Sequence, residues 1–199
     1  IIESWTSTIQ PEDTVIMAGD LSWATHLPDA LNDLKMLSSL PGRKIIVRGN
    51  HDYWWDTVTK MKRMTNNAFE FLHNNALQVN DIALAGTRGW IPETSRKFTE
   101  DDQKIVLREE GRMERSLQEA KNLNCSKIIA VLHYPPFDEN RQPTHMMQLI
   151  ASYGVSDVIY GHIHGQQNFH NLPEELGGVK LHLTSSDYLD FKPLLIQEW

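Results

Sequence analysis

Lys44-Ile45-Ile46-Val47-Arg48-Gly49-Asn50-His51-Asp52 is the stretch on which the fold turns. Its first half is a short, β-branched apolar run of the length and composition of a buried strand. Its second half is a glycine-led loop carrying an amide, an imidazole and a carboxylate. The same arrangement recurs on both sides. Residues 14–18 form a predicted strand that runs into Gly19-Asp20, residues 127–132 one that runs into His133-Tyr134-Pro135-Pro136, and residues 157–160 one that runs into Gly161-His162-Ile163-His164. Helical spacing fills the intervals: 27–40, with Leu31, Leu34 and Leu37 and a Pro41-Gly42 stop; about 56–64; 99–122, opened by Thr99 and Asp102 as a capping box; and 145–153, ended by Gly154. Short strands are expected near 70–72 and 82–85 with a turn at Asn74 and Asn75, and in the tail at 179–184 and 193–198. Strands alternating with helices predict an α/β fold.

A length of 199 residues suits one domain, and no repeat, linker or low-complexity tract divides it. The net charge of −7 and the lack of a Lys/Arg cluster argue against long nucleic acids and anionic lipid surfaces, because such binders gather cations to release counterions. Cys125 stands alone, which rules out an internal disulfide and leaves the cytoplasm as the expected location. No apolar run approaches the roughly 20 residues of a spanning helix, so no membrane segment is expected. The chain opens at Ile1 without a signal-peptide pattern, from which we expect that upstream residues are missing.

Chemistry concentrates in the loops after four strands: Asp20, Asn50 with His51 and Asp52, His133, and His162 with His164. In an open α/β sheet ligands lie beyond the carboxyl ends of the strands, so loops far apart in sequence can meet there. Carboxylate, amide oxygen and imidazole make an intermediate donor set suited to Mn, Fe, Zn or Ni. Asp20 is a candidate bridge between two divalent cations, which could hold a phosphoryl group and supply hydroxide near neutral pH. Glycine before Asp20, Asn50 and His162 suits a sharp turn into a crowded site. His51, with an ordinary pKa near 6.5, could protonate a leaving alkoxide, and Asp52 beside it could fix its tautomer. Trp54, Trp55 and Trp90 either stack a substrate base or fill the core, with core the plainer reading. Arg88 either clamps a phosphate or makes a surface ion pair and stays outside the candidate set. His26, His73, His145, His170 and His182 read as surface or supporting residues.

Taken jointly, Gly19-Asp20, Gly49-Asn50-His51-Asp52, His133 and Gly161-His162-Ile163-His164 resemble the signature of the calcineurin-like metallophosphoesterase superfamily over residues 19–164. The resemblance implies a four-layer α/β/β/α sandwich of two mixed sheets. It also implies two divalent metal ions bridged by Asp20, with Asn50, His133 and His162 completing one and His164 joining the other, and His51 acting on the ester. The activity implied is hydrolysis of a small phosphomono- or phosphodiester by a hydroxide held between the metals. The family pattern begins with an Asp-x-His block, and none precedes Asp20, so residues 1–199 are expected to be one domain lacking its N-terminal strand and first metal motif. The alternative is a non-catalytic scaffold or binding module on the same fold with an incomplete metal site.

Overall fold

Strand alternation explains the layering seen in the structure, a computed structural model that describes residues 1–198. Three strands, β1 (Thr14–Met17), β2 (Arg43–Val47) and β3 (Glu70–Leu72), form a parallel sheet in that order. Six more, β4 (Ala76–Val79), β5 (Ile82–Thr87), β6 (Lys127–Leu132), β7 (Asp157–Tyr160), β8 (Glu175–Leu176) and β9 (Val179–Leu183), form a mixed sheet ordered β4-β5-β6-β7-β9-β8. In the mixed sheet β5, β6, β7 and β9 run parallel, and only the outermost strands β4 and β8 are antiparallel to their neighbours.

Successive side chains point to opposite faces of a strand, and this period of two writes the layers into the sequence. Ile45 and Val47 of β2 meet Ile82 and Leu84 of β5, Ile129 and Val131 of β6 and Ile159 of β7 in an apolar layer between the sheets. Their neighbours face outward. Ile46, Met17 and Phe71 pack under α1 (Ile2–Thr8), α2 (Leu27–Ser38) and α3 (Val58–Met64) through Trp5, Leu34 and Met61. Ala83, Ala85, Ala130, Leu132 and Val158 pack under α4 (Glu100–Asn122) and α5 (His145–Ser152) through Met113, Leu117 and Ile150. Helices, sheet, sheet and helices thus make the expected four-layer sandwich, although one sheet is wholly parallel where two mixed sheets were expected. Strands buried on both faces read as unbroken apolar runs, which is why β2, β5 and β6 were legible.

Thr99 caps α4 with Asp102 in the expected reciprocal box, and acidic Glu100, Asp101 and Asp102 in the first turn complement the helix dipole. Other elements differ from expectation. No strand forms at 193–198; β4 adds a strand after the Asn74-Asn75 turn; and α1 precedes the first strand. The tail alternates without a neighbouring strand to pair with, whereas β4 is an outer strand of four residues, none of them buried, too short for its pattern to stand out. No helix among the described residues is long and apolar enough to cross a membrane.

Candidate metal centre

The strand ends of both sheets meet at one rim. Ala18, just past β1, accepts a hydrogen bond at its carbonyl from Nδ1 of His133, just past β6, at 2.8 Å. Because a carbonyl only accepts, Nδ1 carries the proton of the neutral ring and Nε2 presents a lone pair. His133 is buried, and that burial, ahead of any charge near it, lowers its pKa and keeps it neutral. Nε2 lies 2.7 Å from Oδ1 of Asn50, 3.2 Å from Nδ1 of His162 and 3.5 Å from Oδ2 of Asp20, and His162 Nδ1 is 2.9 Å from the same amide oxygen. Burial, then the neighbouring His133, drops the His162 pKa to about 4, so this ring is neutral too.

Two imidazoles, an amide oxygen and a carboxylate therefore converge, and the His133 lone pair faces an oxygen lone pair. Bonds of about 2.1 Å to one cation would set adjacent donors roughly 3 Å apart, close to the separations found. The donor set fits a divalent transition metal. No three His, Cys, Asp or Glu side chains among the described residues are arranged to hold a metal by themselves; the amide of Asn50 is what joins the two imidazoles.

Backbone geometry makes the convergence. Asp20 and His162 both adopt positive φ, 58° and 70°, sparsely populated for residues with a Cβ. A Cβ on Gly19 would sit 2.6 Å from the Gly49 backbone and 2.8 Å from His133 Nδ1, so only glycine lets these loops approach.

Asp52 holds the loops rather than His51. Fully buried, its carboxylate accepts from the amides of Asp20 (2.8 Å), Leu21 (2.9 Å), Ser22 (3.4 Å) and Gly49 (2.7 Å) and from Nε1 of Trp54 (2.9 Å). Among the described residues it makes no hydrogen bond to the His51 ring, which corrects the expectation that it orients that imidazole. His51 is instead stacked on Trp23, with centroids 4.6 Å apart and planes 4° from parallel, and edged by Tyr53. Its backbone amide donates to Oδ1 of Asp20 at 2.8 Å. Trp54 is core, as read from sequence.

His164 is not drawn into the convergence. Its side chain is 54% exposed, and its Nδ1 lies 2.8 Å from Oδ1 of Asp187, whose other oxygen accepts from the Gly165 amide. Such a carboxylate fixes the tautomer and leaves Nε2 free as a donor atom for a ligand. Asp187 and Trp23 went unnoticed in the sequence because neither sits in a glycine-led strand-end block.

The sequence of residues 2–166 matches the calcineurin-like phosphoesterases. The chain belongs to that family. Its members are generally phosphate-ester hydrolases that use divalent metals, and the blocks of this calcineurin-like phosphoesterase that bear Asp20, Asn50, His133, His162 and His164 all lie within the matched span. A solved structure, a protein of unknown function from Aquifex aeolicus, is similar at 18% identity over 97% of this chain and 77% of that one, with a TM-score of 0.41. No curated protein matches the chain.

Proposed function

We propose that this chain hydrolyses a phosphate ester at a divalent-metal centre held by Asp20, Asn50, His133 and His162. The observation that carries the reading is the packing of Asn50 Oδ1, His133 Nε2 and His162 Nδ1 within 2.7–3.2 Å of one another, with no proton available to satisfy the His133–Asn50 contact. Divalent cations bound there would polarise a phosphoryl oxygen and lower the pKa of water.

The chain's own residues supply the rest. Asp52 clamps the Asp20 and Asn50 loops from behind, so the donor atoms need no rearrangement when a cation arrives. His51, flat against the exposed Trp23, stands at the open side, where it protonates the departing alcohol or hydrogen-bonds a phosphoryl oxygen. His164, with Asp187 behind it, is available to a second cation. Both phosphomonoesters and phosphodiesters fit this arrangement.

The test is to strip the full chain with chelator, titrate manganese by calorimetry, and assay an aryl phosphate and a bis-aryl phosphodiester. Saturable metal binding that Asn50→Ala weakens, with hydrolysis lost in the same variant, supports the reading. Turnover that survives chelation sinks it. The binding-module reading draws on His164 pairing with Asp187 rather than with the other donors. Metal binding without turnover of either ester would favour it.

A further inference from the structure

The carboxyl rim has a second group of polar side chains. Arg48 follows β2, His73 follows β3 and Arg88 follows β5, and β3 packs against β5 across the sheets. Helix α4 brings Arg112 and the fully buried Glu109 to the same place. Five buried side-chain polar atoms lack a hydrogen-bond partner among the described residues, and four are here: Arg48 Nε, Trp55 Nε1, His73 Nδ1 and Arg88 Nε. The Trp55 and His73 rings lie 5.9 Å apart.

Each buried donor without an acceptor costs on the order of 1–3 kcal/mol, so such groups are rare and rarely gather. Charge is unbalanced in the same sense. Glu109 spends one oxygen on the Thr87 hydroxyl (2.5 Å) and the other on Arg112 (2.6 Å), while Arg88 stands 3.8 Å away, beyond hydrogen-bonding distance. One carboxylate faces three guanidiniums, and Arg108 adds positive potential at both Arg48 and Arg88. Asp52 also faces Arg48, but amides and Trp54 occupy its oxygens. His73 is kept neutral by burial first and then by Arg112.

The group adjoins the candidate centre through the backbone. Arg48 directly precedes Gly49-Asn50, and the Arg88 carbonyl accepts from the amides of His133 (3.1 Å) and Tyr134 (3.0 Å). Arg88 also lies over the Trp90 ring at 4.3 Å with its side chain 11% exposed, so it is held in place at the rim, which disfavours the surface ion pair of the two readings its sequence context allows. Guanidinium forks match phosphoryl oxygens in pairs.

We propose that Arg48, His73, Arg88 and Arg112 form a second anion pocket that takes a further phosphoryl group of the substrate, so that the preferred ester carries two. Its link to turnover rests on the phosphoesterase reading; the pocket itself does not. The experiment has two arms. In the first, metal-stripped full chain is titrated calorimetrically with inorganic pyrophosphate; Arg48→Gln and Arg88→Gln are each expected to weaken binding tenfold or more. In the second, the manganese-loaded chain is given a nucleoside 3′,5′-bisphosphate and a nucleoside 5′-monophosphate; the ratio of their kcat/KM values is expected to fall at least tenfold in either variant. Arg88→Gln removes a neighbour of buried Glu109 and its folding is checked by circular dichroism; should it unfold, Arg48→Gln decides. Pyrophosphate affinity indifferent to the substitutions overturns the pocket. An unchanged ratio overturns its assignment to substrate. Arginine-dependent pyrophosphate binding with no hydrolysis of either nucleotide leaves the pocket standing and removes the phosphoesterase reading instead.

Discussion

The two ends of the central strands are built on opposite principles. At the amino end, Asp157 at the start of β7 takes Lys127 on one oxygen (2.9 Å) and His182 on the other (2.8 Å), and both partners come from strands beside it. At the carboxyl end, a lone pair faces a lone pair, Asp20 and His162 hold positive φ, and four buried polar atoms lack hydrogen-bond partners among the described residues. Folding alone accounts for the first rim, where the buried Asp157 carboxylate has a partner on each oxygen. The second leaves polar groups that the chain itself does not satisfy, and their partners are what the proposed metal centre and anion pocket would supply.

Substitutions at the two rims should separate stability from function. The largest loss of stability is expected from Asp52→Ala, which strands five donors at once; a cost of about 3–5 kcal/mol should appear as a lower urea midpoint. Asn50→Ala should do the reverse. It removes an acceptor facing another acceptor, so the metal-free protein should unfold within about 0.5 kcal/mol of the parent, while manganese affinity and ester hydrolysis fall about a hundredfold or more. Equal losses from Asn50→Ala and Asp52→Ala would erase the contrast between ligand and scaffold.

Asp157→Asn should cost about 1–2 kcal/mol and leave manganese binding unchanged. Its pH signature is specific. Burial works to raise the Asp157 pKa, yet hydrogen bonds from His182, Lys127 and Ser156 outweigh it and hold the carboxyl near 2, below its ordinary 3.8. The unfolded chain therefore takes up the proton first, and the stabilisation, complete above about pH 4, is lost as pH falls toward 2. In Asp157→Asn that segment of the acid-denaturation curve should flatten.

A smaller effect in a different window should come from His73. Burial and then Arg112 put its pKa at about 4, below the ordinary 6.5. Stability should be full above about pH 6.5 and decline as pH drops toward 4, because only the unfolded chain protonates in that interval. His133 and His162, also depressed by burial, add to the same decline, so His73→Gln should make it shallower in an equilibrium unfolding series without abolishing it, and a series unchanged by the substitution would show that His73 is not held neutral.

Much of this is legible in the sequence. Apolar runs in β2, β5, β6 and β7, each buried on two faces, announced a layered α/β protein, and the polar residues just past β1, β2, β6 and β7 announced a shared rim. The limits of that reading are equally specific. Asp52 next to His51 in sequence suggested a partnership, but the chain turns so that the carboxylate faces inward to the loop amides while the imidazole faces Trp23. Arg88 could be read as a phosphate clamp or as a surface ion pair, because nothing local reveals that α4 sets Glu109 near it.

What the sequence by itself determined is therefore the alternation of strands and helices and which residues could act as ligands. Those follow from local rules: a period of two in strands, glycine where loops must approach, and donor chemistry carried by each side chain. Only the tertiary structure decided which atoms face one another: that Asn50 comes between His133 and His162, that Asp187 stands behind His164, and that Arg48, His73 and Arg88 share one rim. Those partnerships span up to 112 residues of chain. They depend on how two sheets stack, which no local rule encodes.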